Sequence, residues 1–461
     1  MTQTGKLTTV DPTTGAPLRD YAVMSDRELD AALSQSAKAF RDWKARPVAE
    51  RTEKVARLAQ LFEAEAPHLG ALATKEMGKP LVQAIAEAKK CAVGLRYYAE
   101  NGERMLRDEP VAVDAPARAA VVSAPLGPIL AIMPWNFPWW QVVRLAAPAL
   151  TAGNTVLLKH SENTTGVALE LEALTLRAGL PEGVFRTLVI EKPRIEAVIK
   201  GPVVAAVSLT GSEGAGRAVA AQAGSALKKC VLELGGSDPY VVLADADVEA
   251  AAKICADSRL QNNGQSCVAA KRFIVVAPVY DAFVAAFLAR VREKKVLPPT
   301  DPGCDVGPMA RRDLRDGLDA QVKASVAAGA EVALAGGPDD RPGFWYRPVV
   351  LTGVLPGMKA YDEETFGPAA AITRAKDEAE AFELAATTRF GLGAALFSRD
   401  VERARRLAAE RLEAGFCAVN TMVVSDPRLP FGGIKASGYG RELSAHGLRE
   451  FLNLKTVVAK G

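Results

Sequence analysis

Cysteine and histidine are scarce in this chain of 461 residues, with six of the first and three of the second. Cys91, Cys230, Cys255, Cys267, Cys304 and Cys417 are scattered and include no CxxC pair, so they spell neither a disulfide framework nor a zinc cluster. His68, His160 and His446 lie far apart and read as structural or surface residues. Zinc needs several converging thiolate or imidazole ligands, so no metal is expected. Long apolar runs are also missing: charges, Pro or Gly interrupt each one before membrane-spanning length. The opening MTQTGKLTTVDPTTGAPL has no apolar signal segment. A cytoplasmic protein with no membrane partner is expected. An excess of one charge is lacking as well. The 57 basic and 54 acidic side chains leave a formal net charge of +3, which gives no footprint for nucleic acid. Chemistry must therefore come from Cys, Asn, Glu, Arg or a bound cofactor.

The length is too great for one compact core and implies two or three domains. Apolar residues at helical spacing run from Arg27 to Trp43, with Ser25 and Asp26 able to cap the start. Further helical patterns cover Ala49 to Lys75 and Leu81 to Leu106, until Pro110 to Pro116 break them. ARAAVVSAPLGPILAIMPW then reads as short strands around a Gly-Pro turn. Strands at Thr155 to Lys159, Phe185 to Val189 and Val203 to Gly211 alternate with helices at Thr165 to Ala178 and Gly214 to Ala226. That alternation predicts an α/β domain with a parallel sheet. A second α/β region spans about Val248 to Arg428, and the tail FLNLKTVVAK reads as a strand able to join a sheet elsewhere, in this chain or in a partner subunit.

The dinucleotide fingerprint GxGxxG is absent after the first strand. Its nearest substitute is LTGSEGAG, Leu209 to Gly216, where a Gly-rich turn opens a helix; this is either a phosphate site or a plain structural turn. Lys159 and Glu162 follow TVLL and either grip ribose hydroxyls or form a solvated pair. In QNNGQSCVAAKRFIV, Cys267 sits on a polar loop before a strand, where a sulfur can face a cleft as a nucleophile or be buried inertly. No histidine is near in sequence, so the candidate bases are Glu233 in LELGG and Glu364 in EETFGP. The rigid aromatic segment MPWNFPWW holds Asn136, an amide suited to stabilise an oxyanion. Arg144 follows in a largely apolar run, where it either clamps an anionic ligand or holds a structural salt bridge.

Taken in order, PWNFPWW, LLKHSENT, LTGSEGAG, LELGGSDP, NNGQSC, EETFGP and VNTMVVSDPRLPFGGIKASGYGRE resemble the aldehyde dehydrogenase superfamily over essentially the full chain. The resemblance implies an α/β fold with two Rossmann-like domains and a small β oligomerisation arm. Residues 1–104 and 126–235 would form the NAD(P)-binding domain and 236–430 the catalytic domain. Residues 105–125 and 431–461 would form the arm with its adjoining C-terminal segment, giving a homodimer or homotetramer. By the same resemblance Cys267 is the nucleophile, Asn136 with the Cys267 N–H holds the oxyanion, and Glu233 is the general base. Lys159 and Glu162 contact the adenosine ribose, Ser212 lies near the pyrophosphate, and Gly211 and Gly216 belong to the turn beneath it. Glu364 binds the nicotinamide ribose and Phe366 packs near the nicotinamide, with Trp135 and Leu234 also beside the cofactor.

Within the superfamily the chain resembles the shorter bacterial succinate-semialdehyde dehydrogenases. Arg144, eight residues after Asn136, stands where those enzymes place an arginine for the distal carboxylate, and Ser425 falls in the loop that assists it. Longer members have a second arginine six residues before the nucleophile; here that position is Gln261. Glutarate semialdehyde or a general aliphatic aldehyde are the alternatives, and an acylating dehydrogenase is disfavoured because Glu233 is present to activate water. Glu162 leans the cofactor toward NAD, since a carboxylate repels a 2′-phosphate, with NADP as the other option.

Overall fold

The computed structural model describes residues 5–460. Helix α1 (Asp26–Ala45) begins at the expected Ser25 cap, where the Ser25 Oγ accepts from the Glu28 N–H and the Glu28 carboxylate accepts from the Ser25 N–H. The helical run expected over Ala49 to Lys75 is two helices, α2 (Val48–Ala64) and α3 (Ala66–Met77). Pro67 accounts for the break, because a ring with no N–H is tolerated in a first turn and not in a helix interior. Helix α4 (Leu81–Met105) packs across both. Helix α5 (Trp140–Ala152) is buried along its whole length, and its largely apolar sequence, broken by Gln141, Arg144 and Thr151, suits a helix enclosed on all sides. Helices α6 (Thr165–Arg177), α7 (Ile195–Lys200), α8 (Glu213–Ser225) and α9 (Val248–Leu260) complete the part of the fold that carries the site.

One sheet has six strands in the spatial order Gly438–Tyr439, Lys229–Glu233, Ala206–Thr210, Pro128–Met133, Thr155–His160 and Phe185–Thr187. Only the short Gly438–Tyr439 strand runs antiparallel to its neighbour. The central strands are buried on both faces, which is why they read as continuous apolar runs without alternation. A second sheet of seven strands orders Glu331–Leu334, Val349–Thr352, Ala369–Ala375, Arg272–Val276, Pro239–Val242, Gly393–Phe397 and Phe416–Val419. The C-terminal strand Leu452–Lys460 joins a sheet of this same chain, pairing antiparallel with Ala117–Pro125 from Leu452↔Pro125 to Lys460↔Ala117. Glu109–Val111 is the third strand of that sheet. Among the described residues no helix is long and apolar enough to cross a membrane.

Glu87 of α4 ties the helical layer to the start of α5. Its Oε1 accepts from the N–H groups of Trp139 and Trp140, each at 2.9 Å, and its Oε2 pairs with buried Lys79. The Lys79 ammonium also sits 4.2 Å from the centroid of the Phe137 ring. One carboxylate thus satisfies two helix-start donors and a buried cation. Glu87→Ala would strand both, at a cost of about 3–5 kcal/mol. The expected result is a clear fall in the thermal unfolding midpoint by calorimetry; an unshifted midpoint would show that water replaces the carboxylate without penalty.

Candidate active site

In the six-stranded sheet the chain runs outward from Pro128–Met133 through Thr155–His160 to Phe185–Thr187, then returns to Ala206–Thr210 on the other side. That reversal makes the carboxyl end of Pro128–Met133 a topological switch point, where open α/β sheets bind nucleotides. Trp135 and Asn136 follow this strand, Lys159 and Glu162 lie at the end of the next, and Gly211, Ser212 and Gly216 follow Ala206–Thr210. Leu234 follows Lys229–Glu233. The proposed cofactor residues on this sheet therefore share one edge.

The details of that edge suit a dinucleotide. The Ser212 Oγ caps α8 by accepting from the Ala215 N–H at 3.4 Å, leaving the helix start open to an anion. A Cβ at Gly216 would stand 2.5 Å from the Leu234 side chain, so only glycine lets α8 approach the strand end this closely. A cleft of about 340 Å³ is lined by Lys159, Ser161, Glu162, Lys192, Arg311 and Arg312. Lys159 and Glu162 form a loose ion pair of 3.8 Å there. Trp135 meets Phe366 edge to face, with centroids 5.7 Å apart. The Glu364 Oε1 accepts from the Gly236 N–H at 3.1 Å and pairs with the Lys271 Nζ at 3.3 Å.

Cys267 lies on the loop entering the strand Arg272–Val276 of the other sheet. Asn262 and Asn263 in that loop take the left-handed conformation, with φ of 55° and 59°, which short polar side chains tolerate better than most. Their amides anchor the loop. The Asn262 Nδ2 donates to the carbonyls of Asn136 (2.8 Å) and Gln265 (3.0 Å), and the Asn263 Nδ2 donates to those of Gly78 (2.9 Å) and Pro308 (2.8 Å). Buried Lys271 donates to the carbonyls of Ser266 (3.2 Å) and Cys267 (2.7 Å). The Asn136 Nδ2 makes a long bond of 3.2 Å to the Gln265 carbonyl, and its Oδ1 has no hydrogen-bond partner among the described residues. His160 anchors the aromatic segment at Pro138, two residues past Asn136: its Nδ1 accepts from the Ser161 N–H at 2.8 Å, so its Nε2 donates to the Pro138 carbonyl at 3.0 Å. Burial drives its pKa down to about 4, keeping the ring neutral.

Burial pushes the Cys267 thiol up to about 12, against the pull of Arg144 and Lys271. The resting sulfur is therefore a thiol that needs a base. Burial also holds the Glu233 carboxyl well above the ordinary range, with Arg144 acting against it and Glu442 with it. Neither Glu233 oxygen has a hydrogen-bond partner among the described residues. Arg144 is 2% exposed. Its Nε pairs with Glu442, its Nη2 donates to the Thr210 Oγ1 at 3.4 Å, and its guanidinium lies 4.6 Å from the Phe431 ring centroid. A second cleft, of about 220 Å³, has Cys267, Arg144, Gln261, Ser425, Lys90 and Trp140 in its wall. The three substrate candidates therefore meet the nucleophile candidate in one space, with Gln261 exposed at the surface and Ser425 half-buried. Among the described residues no group of three or more His, Cys, Asp or Glu could hold a metal.

Sequence reasoning missed Lys90, Asn262, Lys271 and Glu442. The doubled asparagine before glycine is a legible sign of left-handed backbone, whereas Lys90 and Glu442 carry no local sign of facing inward.

Comparison with known proteins agrees with this geometry. Succinate-semialdehyde dehydrogenase [NADP(+)] 1 of Mycobacterium tuberculosis is 49% identical over 453 residues, covering 98% of this chain and 99% of that protein. A succinic semialdehyde dehydrogenase from Streptococcus pyogenes, solved in complex with NADP+, superposes with a TM-score of 0.96 at 34% identity, covering 99% of this chain and all of the other. A succinate-semialdehyde dehydrogenase structure from Burkholderia pseudomallei matches with a TM-score of 0.96 at 36% identity, covering 99% and 95% of the two chains. With the model of the Aldehyde dehydrogenase family matching residues 1–457, the chain belongs to that family.

Proposed function

We propose that this enzyme oxidises succinate semialdehyde to succinate, with NADP or NAD as the hydride acceptor. The observation that carries the reading is the cleft in which Cys267 shares a wall with Arg144 and Ser425. An aldehyde can meet the sulfur there while polar and cationic groups face its far end. The names of the mycobacterial relatives support the same substrate.

In this reading Cys267 attacks the aldehyde carbon once its proton is removed. The charge that develops on oxygen is taken by the Asn136 Nδ2 and the Cys267 N–H, donors held in place before the reaction begins. The long bond from Asn136 to the Gln265 carbonyl is a weak commitment, easily exchanged for an oxyanion. A bound nicotinamide supplies the hydride acceptor that converts the adduct to a thioester. Glu233 is buried at the end of the strand Lys229–Glu233 with no hydrogen-bond partner among the described residues, which leaves its carboxylate uncommitted and available to activate the hydrolytic water. Burial raises its pKa, which makes the ionised carboxylate a stronger base than an exposed one.

The adenosine end favours NADP alongside NAD. Glu162 alone leans toward NAD, yet Lys159, Lys192 and Arg312 line the same cleft and can offset its charge, while Arg311 there is paired with Asp313. We also assign residues 1–104 with 126–235 to nucleotide binding and 236–430 to catalysis. The protein assembles as a homodimer or homotetramer through Leu452–Lys460, whose Leu454, Val457 and Val458 are exposed. All six cysteines are unpaired, which suits a reducing cytoplasm.

Cys267→Ala is expected to cut turnover by about 10⁴-fold or more with the fold retained. Asn136→Ala should lower kcat by about 10²–10³-fold with little change in KM. Steady-state assays check both, and substantial turnover in the first would end the nucleophile assignment. Glu162→Ser should raise the NADP:NAD ratio of kcat/KM by about tenfold; an unmoved ratio would place discrimination elsewhere in the cleft. Sedimentation should show a dimer or tetramer that Val457→Asp with Val458→Asp weakens, and a monomeric parent protein would refute the assembly.

A further inference from the structure

The cleft beside Cys267 contains one cation that no carboxylate balances. The charge of Arg144 is answered by Glu442, and Glu87 is answered by Lys79. Lys90, on the same wall, forms no ion pair among the described residues. The nearest carboxylates are engaged elsewhere: Glu87 as above, and Asp426 with Arg428 at 2.7 Å. The contacts of Lys90 are neutral. Its Nζ donates to the Ser425 Oγ at 2.9 Å and lies 4.7 Å from the Trp140 ring centroid. Burial, then the charge of Arg144, lowers its pKa to about 8, with Glu87, Cys91 and Asp426 pulling the other way. It thus stays largely charged at neutral pH, at the cost of a poorly solvated ammonium.

Ser425 makes the arrangement directional. Its Oγ accepts from the Lys90 Nζ and from the Trp140 Nε1 at 3.0 Å, and both of those groups can only donate. With the oxygen's acceptor positions taken, the Ser425 proton must point outward as a donor. Lys90 has two further N–H bonds. A cation and a hydroxyl donor therefore stand together in a cleft whose wall mixes apolar Phe137, Val268 and Phe431 with polar Gln141 and Gln261, its one carboxylate, Glu87, being paired with Lys79. This is a half-built site for an anion with two oxygens.

We propose that Lys90 and Ser425 receive the distal carboxylate of the substrate, and that Lys90 sets the preference for ω-oxo acids over uncharged aldehydes. The assignment rests on the semialdehyde reading above. Arg144 lines the same wall with its charge answered by Glu442, so Lys90 adds a cation that is not yet paired with a carboxylate among the described residues. The assignment identifies a second cation near the distal end, on a different segment from Gln261.

The test compares kcat/KM for succinate semialdehyde and for butanal in the full-length parent, Lys90→Met and Lys90→Arg, with saturating NADP. Lys90→Met should lower the semialdehyde:butanal ratio by about 10- to 100-fold, the range for one charge-assisted hydrogen bond. Lys90→Arg should restore most of it. An equal loss on both substrates, or none on either, would overturn the proposal. A parent enzyme that prefers butanal would instead overturn the semialdehyde reading. Alkylation then tests the anion receptor without turnover. The rate of Cys267 modification by iodoacetate relative to iodoacetamide, read by mass spectrometry, should fall about tenfold in Lys90→Met. An unchanged ratio would remove Lys90 from the receptor.

Discussion

The site is organised around a guanidinium sealed inside the protein. Arg144 comes from a helix with no exposed residue, and Glu442 reaches it from the C-terminal segment. Removing either partner would leave a bare charge in a dry interior, so the pair fixes α5 against the chain's last hundred residues far more firmly than a surface bridge. Glu442 is further held by a hydrogen bond from the Ser208 Oγ at 3.4 Å and by reciprocal backbone bonds with Phe431. The same positive charge acts on Cys267 and on Glu233, lowering the pKa of both against burial. A thiol and a carboxyl that burial would otherwise keep protonated thus share one compensating cation.

The two sheets contribute opposite ends to this centre. The six-stranded sheet presents the carboxyl ends of its parallel strands, while Cys267 lies just before the amino end of Arg272–Val276 in the other sheet. The amide contacts between Asn262 and the carbonyls of Asn136 and Gln265 join the two. Asn136 and the Cys267 sulfur are consequently positioned by one network and not by two independent loops, and the left-handed backbone at Asn262 and Asn263 accompanies the side-chain contacts that make it.

Much of this was legible in the sequence, for identifiable reasons. Parallel strands buried on both faces announce themselves as apolar runs, and Ser25 with Glu28 spells a helix start. Cys267 and Asn136 stand out because a thiol in a polar loop and an amide among tryptophans are locally unusual. The split at Pro67 was legible too, but helical periodicity on both sides hid it. The rest depends on which way a side chain faces after packing. AIAEAKKCA reads as an ordinary charged helix, and nothing local separates Lys89, which is exposed, from Lys90, which faces the cleft. Glu442 lies in a Gly-rich stretch almost three hundred residues from Arg144, so their meeting is a product of topology.

One stripe of α4 explains why these distant loops keep a common register. Gln83, Glu87 and Lys90 are spaced four and three residues apart, the repeat that places side chains on one helical face. The Gln83 Oε1 accepts from the Asn262 N–H at 2.8 Å, at the start of the Cys267 loop. Glu87 accepts from the N–H groups of Trp139 and Trp140, just past Asn136. Lys90 donates to Ser425, on the loop beyond Phe416–Val419. A rigid helix therefore touches, in successive turns, the loop of Cys267, the segment just past Asn136 and the loop of Ser425. The spacing of these three segments is set along that one helix, whose turns rise about 5.4 Å each, so none of them can shift along it without breaking a hydrogen bond to α4.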